Sequence, residues 1–547
     1  MPSKKFSPPP DDAAVESQAQ IHPLIRNALR LSLSAKEYKF LHERILKRSG
    51  SIEQRLPTPF RYETIVRTTT NNKYNVAAVR ASLRMFLAVS GGLSLSEVVM
   101  ARVRKDGSSA KKPRESFLCS PKFRLALSLS LALLAHRILY RFFVRLRANL
   151  RTDDAKPFRD RNPRFSWALT SRYAPAVGAS LAGVALGICP QSRIRVTLAI
   201  YTATRSLEFL YNALNEKGYL EHKPWWFGSW LLMPISCAQL FHAFVFDRET
   251  IPKWMGDLLL RFSSSYIADR PAHFPAHLDW PSQHELVDSL GSIASLKWPT
   301  FMSPILHPNN PKPLPKQIQS ISPLTSPAHP NIASLSCALL HPSTPSCNTA
   351  FVHQILHSVP RLARTITLAV LAISAASYKK SLSNPTGSIN TISKRILSLT
   401  AILSASTGSF WGSICLLNSL LPRSALSTQR FFISGAAGGL PFAFFKQGRS
   451  LFTYIFRSAI YSAWATGVKR RYWRESKSGE LALIVVSWAL LGAVLEWSPE
   501  AVQGAGFRKG LAWLRGDGLV DPCEVATKRK RRATVTATQG DANDAAL

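Results

Sequence analysis

The chain has 547 residues, 46% of them hydrophobic, and a formal net charge of +37. In a soluble protein that charge would indicate a nucleic-acid partner. Here Lys and Arg lie mainly in the loops and tails that flank apolar blocks, so the expected counter-charge is the anionic lipid headgroup, and no nucleic-acid partner is expected. The seven cysteines are odd in number and scattered, which argues against a disulfide scaffold.

In chain order, a polar N-terminal region (1–76) contains a soluble helical stretch around Ile25–Leu46. Apolar blocks then follow in two groups, a first transmembrane half (77–270) and a second (351–497). We expect seven to ten of these blocks to be membrane-embedded, the shorter ones as buried or re-entrant helices. The blocks are Leu83–Met100 (the weakest), Phe123–Leu146, Phe165–Ile188, Ile194–Leu214, Trp225–Phe246, Leu362–Tyr378, Ile396–Leu421, Phe431–Phe445, Leu451–Val468 and Leu481–Trp497.

The sequence therefore predicts an all-α, multi-pass transmembrane protein. The alternative is a soluble, all-helical protein with a large core, but a block such as Trp225–Phe246 contains no Asp, Glu, Lys or Arg, whereas a surface helix shows a polar stripe.

A repeated signature indicates that the two halves are related. Gly183 and Gly187 are followed by Arg205-Ser206, and Gly435 and Gly439 are followed by Arg457-Ser458 at the same spacing, 252 residues later. Glycines four apart let helix backbones approach closely in lipid. We expect these four glycines to be helix-packing positions, within the chain or in a homo- or hetero-oligomer. If five helices cross per half, the repeat is inverted, and if four cross it is parallel.

Four charged residues form a candidate intramembrane polar site: Arg195, Arg205, Glu208 and Arg457. Arg205 and Glu208 are three apart on one helix face, where an internal ion pair would lower the cost of burying charge. They either line a path for a solute or lipid, or extend toward the membrane interface. Ile460 follows Arg457 at the same spacing, so the second half lacks the acid.

The first half closes with Ile251–Ile267, whose aromatic and apolar residues recur every four positions. This spacing predicts an amphipathic helix that lies either at the membrane interface or on the protein's own core. Residues 271–350 are rich in Pro, Ser and His, cannot form long helices, and are interpreted as the linker between the halves.

The linker ends in a Cys/His element formed by Cys337, His341 and Cys347. Zinc sites usually use closer Cys pairs, so ordinary loop residues are favoured over a structural metal or a redox pair, and no metal is expected. A basic, polar tail (498–547) follows the second half; its run Lys528–Arg532 is expected to touch lipid headgroups or to be solvated.

Three passages of the chain resemble those of a known family. They are Gly183-x-x-x-Gly187 leading into Arg195–Glu208, Ser409–Cys415 preceding Gly435–Gly439, and Cys337-x3-His341-Pro342-x4-Cys347. These passages resemble the transmembrane protein 135 family of mitochondria, peroxisomes and lipid droplets, with a more distant similarity to the channel subunits of mitochondrial protein translocases. The resemblance implies a role in mitochondrial or peroxisomal membrane and lipid homeostasis, with no catalytic residues to transfer.

We therefore expect a non-catalytic integral membrane protein without cofactor, whose partner is the lipid bilayer. One alternative is a transporter or channel for a lipid or small solute. A second is an enzyme of lipid metabolism that uses His242 and Asp247, a His-x4-Asp spacing found in membrane acyltransferases, although no phosphate-binding motif accompanies it.

Overall fold

The protein was analysed as a computed structural model. The structure describes residues 23–44, 57–66, 70–103, 120–190, 192–263, 266–267, 280–307, 314–375, 385–445, 448–474, 478–525 and 527. The basic run Lys528–Arg532 lies outside these residues.

The described residues are mainly helical, and their only β-type pairing is an isolated bridge between Thr300 and Ser334. The predicted all-α class is confirmed. Among the described residues, the first nine helices are α1 (Pro23–Ser32), α2 (Ala35–Arg44), α3 (Pro59–Val66), α4 (Thr70–Val103), α5 (Pro121–Asn149), α6 (Lys156–Arg161), α7 (Pro163–Thr170), α8 (Ala174–Ser180, extended by the 3-10 helix Leu181–Ile188) and α9 (Ser192–Glu216). The next nine are α10 (Leu232–Phe246), α11 (Lys253–Phe262), α12 (Gln283–Ser295), α13 (Ser322–Thr325), α14 (Leu335–Leu340), α15 (Cys347–Ala375), α16 (Pro385–Leu420), α17 (Arg430–Gly439, extended by the 3-10 helix Leu440–Phe444) and α18 (Arg449–Lys469). The last two are α19 (Gly479–Trp497) and α20 (Ala505–Arg515).

The chain divides into two compact units whose borders differ from the predicted halves. Unit 1 is Met1–Glu221 together with Ser476–Leu547, and unit 2 is His222–Glu475. The last long helix of each predicted half therefore lies in the unit formed mainly by the other half. Helix α10, from the first half, lies in unit 2, and α19, from the second half, lies in unit 1.

Unit 1 is built around α5, which packs against α4, α8 and α20, while α9 packs along α19. Ser120 caps α5 by accepting a hydrogen bond from the Phe123 amide. The predicted helical stretch at Ile25–Leu46 is two helices, because Ser34 interrupts it and its hydroxyl caps α2 by accepting from the Glu37 amide.

Unit 2 is built around α10, which packs against α17 and α18, while α15 and α16 form an adjacent hairpin that also contacts α17. Its core is aromatic: the Phe241 ring stacks on Phe410 with centroids 4.9 Å apart and meets Trp411 edge-on at 5.1 Å. These aromatic contacts join α10 to α16.

The described part of the proposed linker, 280–307 and 314–350, is an integral part of unit 2. Ser282 and Glu285 form a capping box at the start of α12, which is 13 residues long. Leu286, Leu290 and Ile293 on α12 are fully buried in the core of unit 2. Apolar spacing on a short, capped helix outweighs the surrounding prolines, so the linker interpretation does not hold for these residues.

Six helices among the described residues are long and apolar enough to cross a membrane, fewer than the seven to ten expected: Lys73–Arg102, Pro121–Asn149, Ser229–Phe246, Cys347–Ser374, Pro385–Leu420 and Gly479–Trp497. The predicted block Phe165–Ile188 is not one span, because Ser171–Tyr173 separates α7 from α8. Large apolar side chains on these helices face outward, including Leu368 on α15 (66% exposed) and Val486 on α19 (64%). Outward apolar faces of this extent are compatible with an integral membrane protein.

Candidate functional site

An apolar cavity of about 310 Å³ lies within unit 2, enclosed by α10, α11, α16 and α18. Seven of its nineteen lining residues are aromatic, and ten are Leu, Ile, Met or Cys. It is partly open, and Trp254 (51% exposed) and Tyr454 (48% exposed) are among the residues that line it. The lining residues are Met233, Cys237, Leu240, Phe241, Phe244, Ile251, Trp254, Met255, Leu258, Leu259, Phe262, Leu403, Ser406, Thr407, Phe410, Phe442, Leu451, Tyr454 and Ile455.

The two hydroxyls contributed by α16 are used inside the protein. Ser406 donates to the Gly438 carbonyl at 2.6 Å, and Thr407 donates to the Leu403 carbonyl at 3.0 Å. With these donors engaged, the interior of the cavity favours hydrocarbon over polar ligands. Tyr454, which is partly exposed, and Trp254 are amphipathic residues of the kind found at membrane interfaces.

The predicted amphipathic segment contains the helix α11, whose packing bears on one of the two alternatives, docking on the protein's own core. Gly256, Leu260 and Phe262 are buried, so one side of α11 is docked on the core of unit 2. Trp254 and Leu258 remain 51% and 40% exposed and also line the cavity. The four-residue spacing in the sequence reveals the apolar face, but it does not show that this face covers a cavity.

All four glycines of the repeated signature lie at close helix contacts. A Cβ atom on Gly435 would lie 2.5 Å from the Cys237 carbonyl oxygen, and one on Gly439 would lie 2.5 Å from the Pro234 Cα, so α17 meets α10 backbone to backbone. In unit 1, a Cβ on Gly183 would lie 3.1 Å from a side-chain methyl of Ile484, and one on Gly187 3.0 Å from Leu481. Helices of the same chain thus cover Gly183, Gly435 and Gly439, which are buried, whereas Gly187 touches Leu481 but remains exposed.

The candidate polar residues do not form one cluster. The expected ion pair is present, with Arg205 Nη1 2.7 Å from Glu208 Oε2. Arg195 instead pairs with Glu480 at 2.9 Å and donates to the Cys189 carbonyl. Because Arg195 and Arg205 are ten positions apart on α9, their Cα atoms lie about 15 Å apart along the helix axis. Arg457 is half-buried on α18 in unit 2.

His242 and Asp247 lie at the C-terminal end of α10 in different roles. The Asp247 side chain is 4% exposed; one oxygen is 3.0 Å from Lys469 Nζ and the other 2.6 Å from Arg470 Nη2. His242 packs on Phe246 and lines a small pocket of about 230 Å³ together with Arg470. Both Asp247 oxygens are thus held by cations, an arrangement that suits a structural ion cluster better than a His–Asp dyad.

The Cys/His element is brought together, and a fourth residue joins it. Cys337, His341 and Cys347 meet Cys415 of α16, with all four ligand atoms within 4.8 Å of one another. Sequence spacing does not identify Cys415, which lies 68 residues after Cys347 in an apolar helix. Only the folding of the α15–α16 hairpin brings it to the element.

No protein-family model, no curated protein and no solved structure matches this chain. The described residues form a helical protein, and its six long apolar helices are compatible with an integral membrane protein.

Proposed function

We propose that this chain is a non-catalytic integral membrane protein that holds the hydrocarbon part of a lipid in the cavity of unit 2, and that it acts in lipid homeostasis of a mitochondrial or peroxisomal membrane. The observation that carries the proposal is the cavity itself, an apolar space at the lower end of the volumes typical of ligand pockets.

The shape and chemistry of the wall favour an acyl chain with its polar end outward. Phe241 and Phe410 lie deep in unit 2 at 2% and 9% exposed, whereas Trp254 and Tyr454 are about half exposed. A chain seated against the phenylalanines would place its headgroup near these two amphipathic rings. Binding is then driven by the removal of apolar surface from water.

The arrangement of helices supports the hypothesis that the two halves of the chain are related. In unit 1, α8 and α9 pack against α19; in unit 2, α17 and α18 pack against α10. These six helices form two triplets that are each consecutive along the chain, α8–α9–α10 and α17–α18–α19. The third helix of each triplet packs against the first two helices of the other triplet. The pairs α4–α5 and α15–α16 bring the number of long helical segments to five in each half. If all five cross the membrane, the odd number favours an inverted repeat.

The organelle assignment depends on the resemblance of Arg195–Glu208, Cys337–Cys347 and Ser409–Gly439 to the transmembrane protein 135 family. That resemblance also supplies the lipid-homeostasis part of the proposal. The cavity supports the same class of ligand independently of it.

The test is photo-crosslinking of the full-length protein in membranes with a photoreactive fatty acid or phospholipid, followed by mapping of the labelled peptides. Leu403→Trp fills the cavity, whereas Leu397→Trp places the same residue on the same helix at a position 70% exposed and outside the cavity. We expect labelled peptides from α11 and α18 in wild type and Leu397→Trp, and their loss in Leu403→Trp. Equal labelling in both variants would contradict the proposed site.

A further inference from the structure

Four side chains in unit 2 form a compact set of soft metal ligands at one end of the α15–α16 hairpin. Cys337 lies in α14, His341 directly follows that helix, Cys347 begins α15, and Cys415 lies five residues before the end of α16. Cys337, His341 and Cys415 are buried, and Cys347 is half-buried. Three thiols and one imidazole, on three segments of the chain, are a donor set that zinc prefers.

Two of the distances between the ligand atoms are close to those around a tetrahedral ion, and all four atoms lie within 4.8 Å of one another. Cys337 Sγ lies 3.8 Å from Cys347 Sγ, and Cys415 Sγ lies 3.7 Å from His341 Nε2. With Zn–S near 2.3 Å and Zn–N near 2.0–2.1 Å, the edges of a tetrahedral site are roughly 3.5–3.8 Å. The two measured separations are opposite edges of one tetrahedron, because they share no ligand.

The histidine is already oriented for coordination. Its Nδ1 lies 2.7 Å from the Thr344 carbonyl oxygen. A carbonyl oxygen only accepts, so Nδ1 carries a proton, and Nε2, which lies 3.7 Å from Cys415 Sγ, is the ring nitrogen available to a metal. A hydrogen bond from the second ring nitrogen to a backbone carbonyl is the usual support of a metal-bound histidine.

A buried cation is connected to the same group. Zinc with three thiolates and one neutral imidazole carries a single net negative charge, which is costly to bury alone. Arg430 is fully buried, donates to Asn418 and to the Pro422 carbonyl, and among the described residues has no carboxylate partner. Asn418 in turn donates to Ser336 at 2.8 Å, the residue before Cys337.

We propose that Cys337, His341, Cys347 and Cys415 bind one zinc ion in a structural Cys3His site. Four protein ligands complete the tetrahedron, so the site has no open position for a catalytic water. Binding releases one proton from each of the three thiols to solvent, and the ion ties α14 and the start of α15 to the end of α16.

The experiment measures metal content in full-length, tag-free protein purified in detergent under reducing conditions. Wild type is expected to hold one zinc ion per chain by elemental mass spectrometry, and Cys415→Ser is expected to lose it. Cys237→Ser is the matched control, because Cys237 is equally buried in unit 2 but lies outside the cluster. This control should retain the full zinc content.

A second measurement separates metal binding from a general folding defect. Cobalt exchanged into wild type should give the absorption of a tetrahedral cobalt–thiolate site, and His341→Cys should keep the metal while the thiolate charge-transfer band grows. A strong chelator should lower the melting temperature of wild type and of Cys237→Ser to the same extent. The proposal is overturned if folded wild type binds neither zinc nor cobalt, if Cys415→Ser keeps the ion, or if peptide mapping finds a Cys337–Cys347 disulfide in protein handled without reductant.

Discussion

Gly439 and Pro234 lie so close that a Cβ atom on Gly439 would come within 2.5 Å of the Pro234 Cα. Four residues earlier on the same face, Gly435 meets the Cys237 carbonyl oxygen at the same distance. Both neighbours are backbone atoms, which cannot rotate away as a side chain can. The α10–α17 contact therefore depends on the absence of side chains at these two positions.

Replacing Gly435 or Gly439 by alanine should destabilise the protein by about 1–3 kcal/mol, the usual cost of overpacking a close contact. Gly183→Ala should cost less, since its nearest neighbour is a side-chain methyl at 3.1 Å. Gly92→Ala is the control, because no atom lies within 4 Å of its Cβ position. Melting temperatures in detergent test this order, and equal values for Gly439→Ala and Gly92→Ala would contradict it.

The Arg195–Glu480 pair should contribute more to stability than an exposed pair in the same unit. Its side chains are 21% and 12% exposed, whereas both side chains of the Arg84–Glu37 pair are 44% exposed. Glu480→Gln weakens the bond to a charged donor and should cost about 2 kcal/mol. Glu37→Gln should cost under about 1 kcal/mol. The comparison uses denaturation midpoints of both variants, and similar losses would show that burial of the first pair has no effect.

Acid should weaken the C-terminal segment of unit 1 through Asp521. Arg508 donates to both Asp521 oxygens, at 2.8 and 2.7 Å, and these hydrogen bonds lower the pKa of Asp521 below its ordinary value. The stabilisation is fully present above the unfolded-state pKa of about 3.9 and is lost as the pH falls through the lower folded-state pKa.

Melting temperatures measured from neutral to acidic pH test this in wild type and in Asp521→Asn. The difference between the two proteins should be largest at neutral pH and should shrink once the pH falls below the unfolded-state value. A difference that grows on acidification would mean that the carboxylate is not stabilised in the folded state.

Two pieces of the chain, 1–275 and 276–547, should be unstable alone and should associate when expressed together. The reason is that α10 of the first piece packs in unit 2 and α19 of the second piece packs in unit 1. Co-purification from detergent extracts measures the association. A second piece that ends at residue 478 lacks α19 and should no longer stabilise the first; stable, independent pieces would contradict the exchange of helices.

Local sequence patterns predict which segments are helical and apolar, but not which helices meet. Glycine spacing identified the closely packed faces at Gly183 and Gly435, and charge spacing identified the Arg205–Glu208 pair. Glu480 pairs with Arg195 across 285 positions, and no local pattern records a contact at that separation. Cys415 joins the Cys/His element for the same reason, through a hairpin.

Predictions from composition are also wrong at two places where a few residues decide the structure. Ser171–Tyr173 breaks an apolar block that hydropathy treats as one span. In the proline-rich region, five buried apolar residues on α12 place it in the core of unit 2. Averaged properties of a segment cannot show either effect.

Membrane integration in the expected organelle is the central claim, and carbonate extraction tests it most directly. The tagged full-length protein is located in cells with mitochondrial and peroxisomal markers, and the organelle fraction that contains it is washed with alkaline carbonate. The account predicts retention in the membrane pellet of mitochondria or peroxisomes. Release into the supernatant would contradict it, because the six apolar helices would then form the core of a soluble protein.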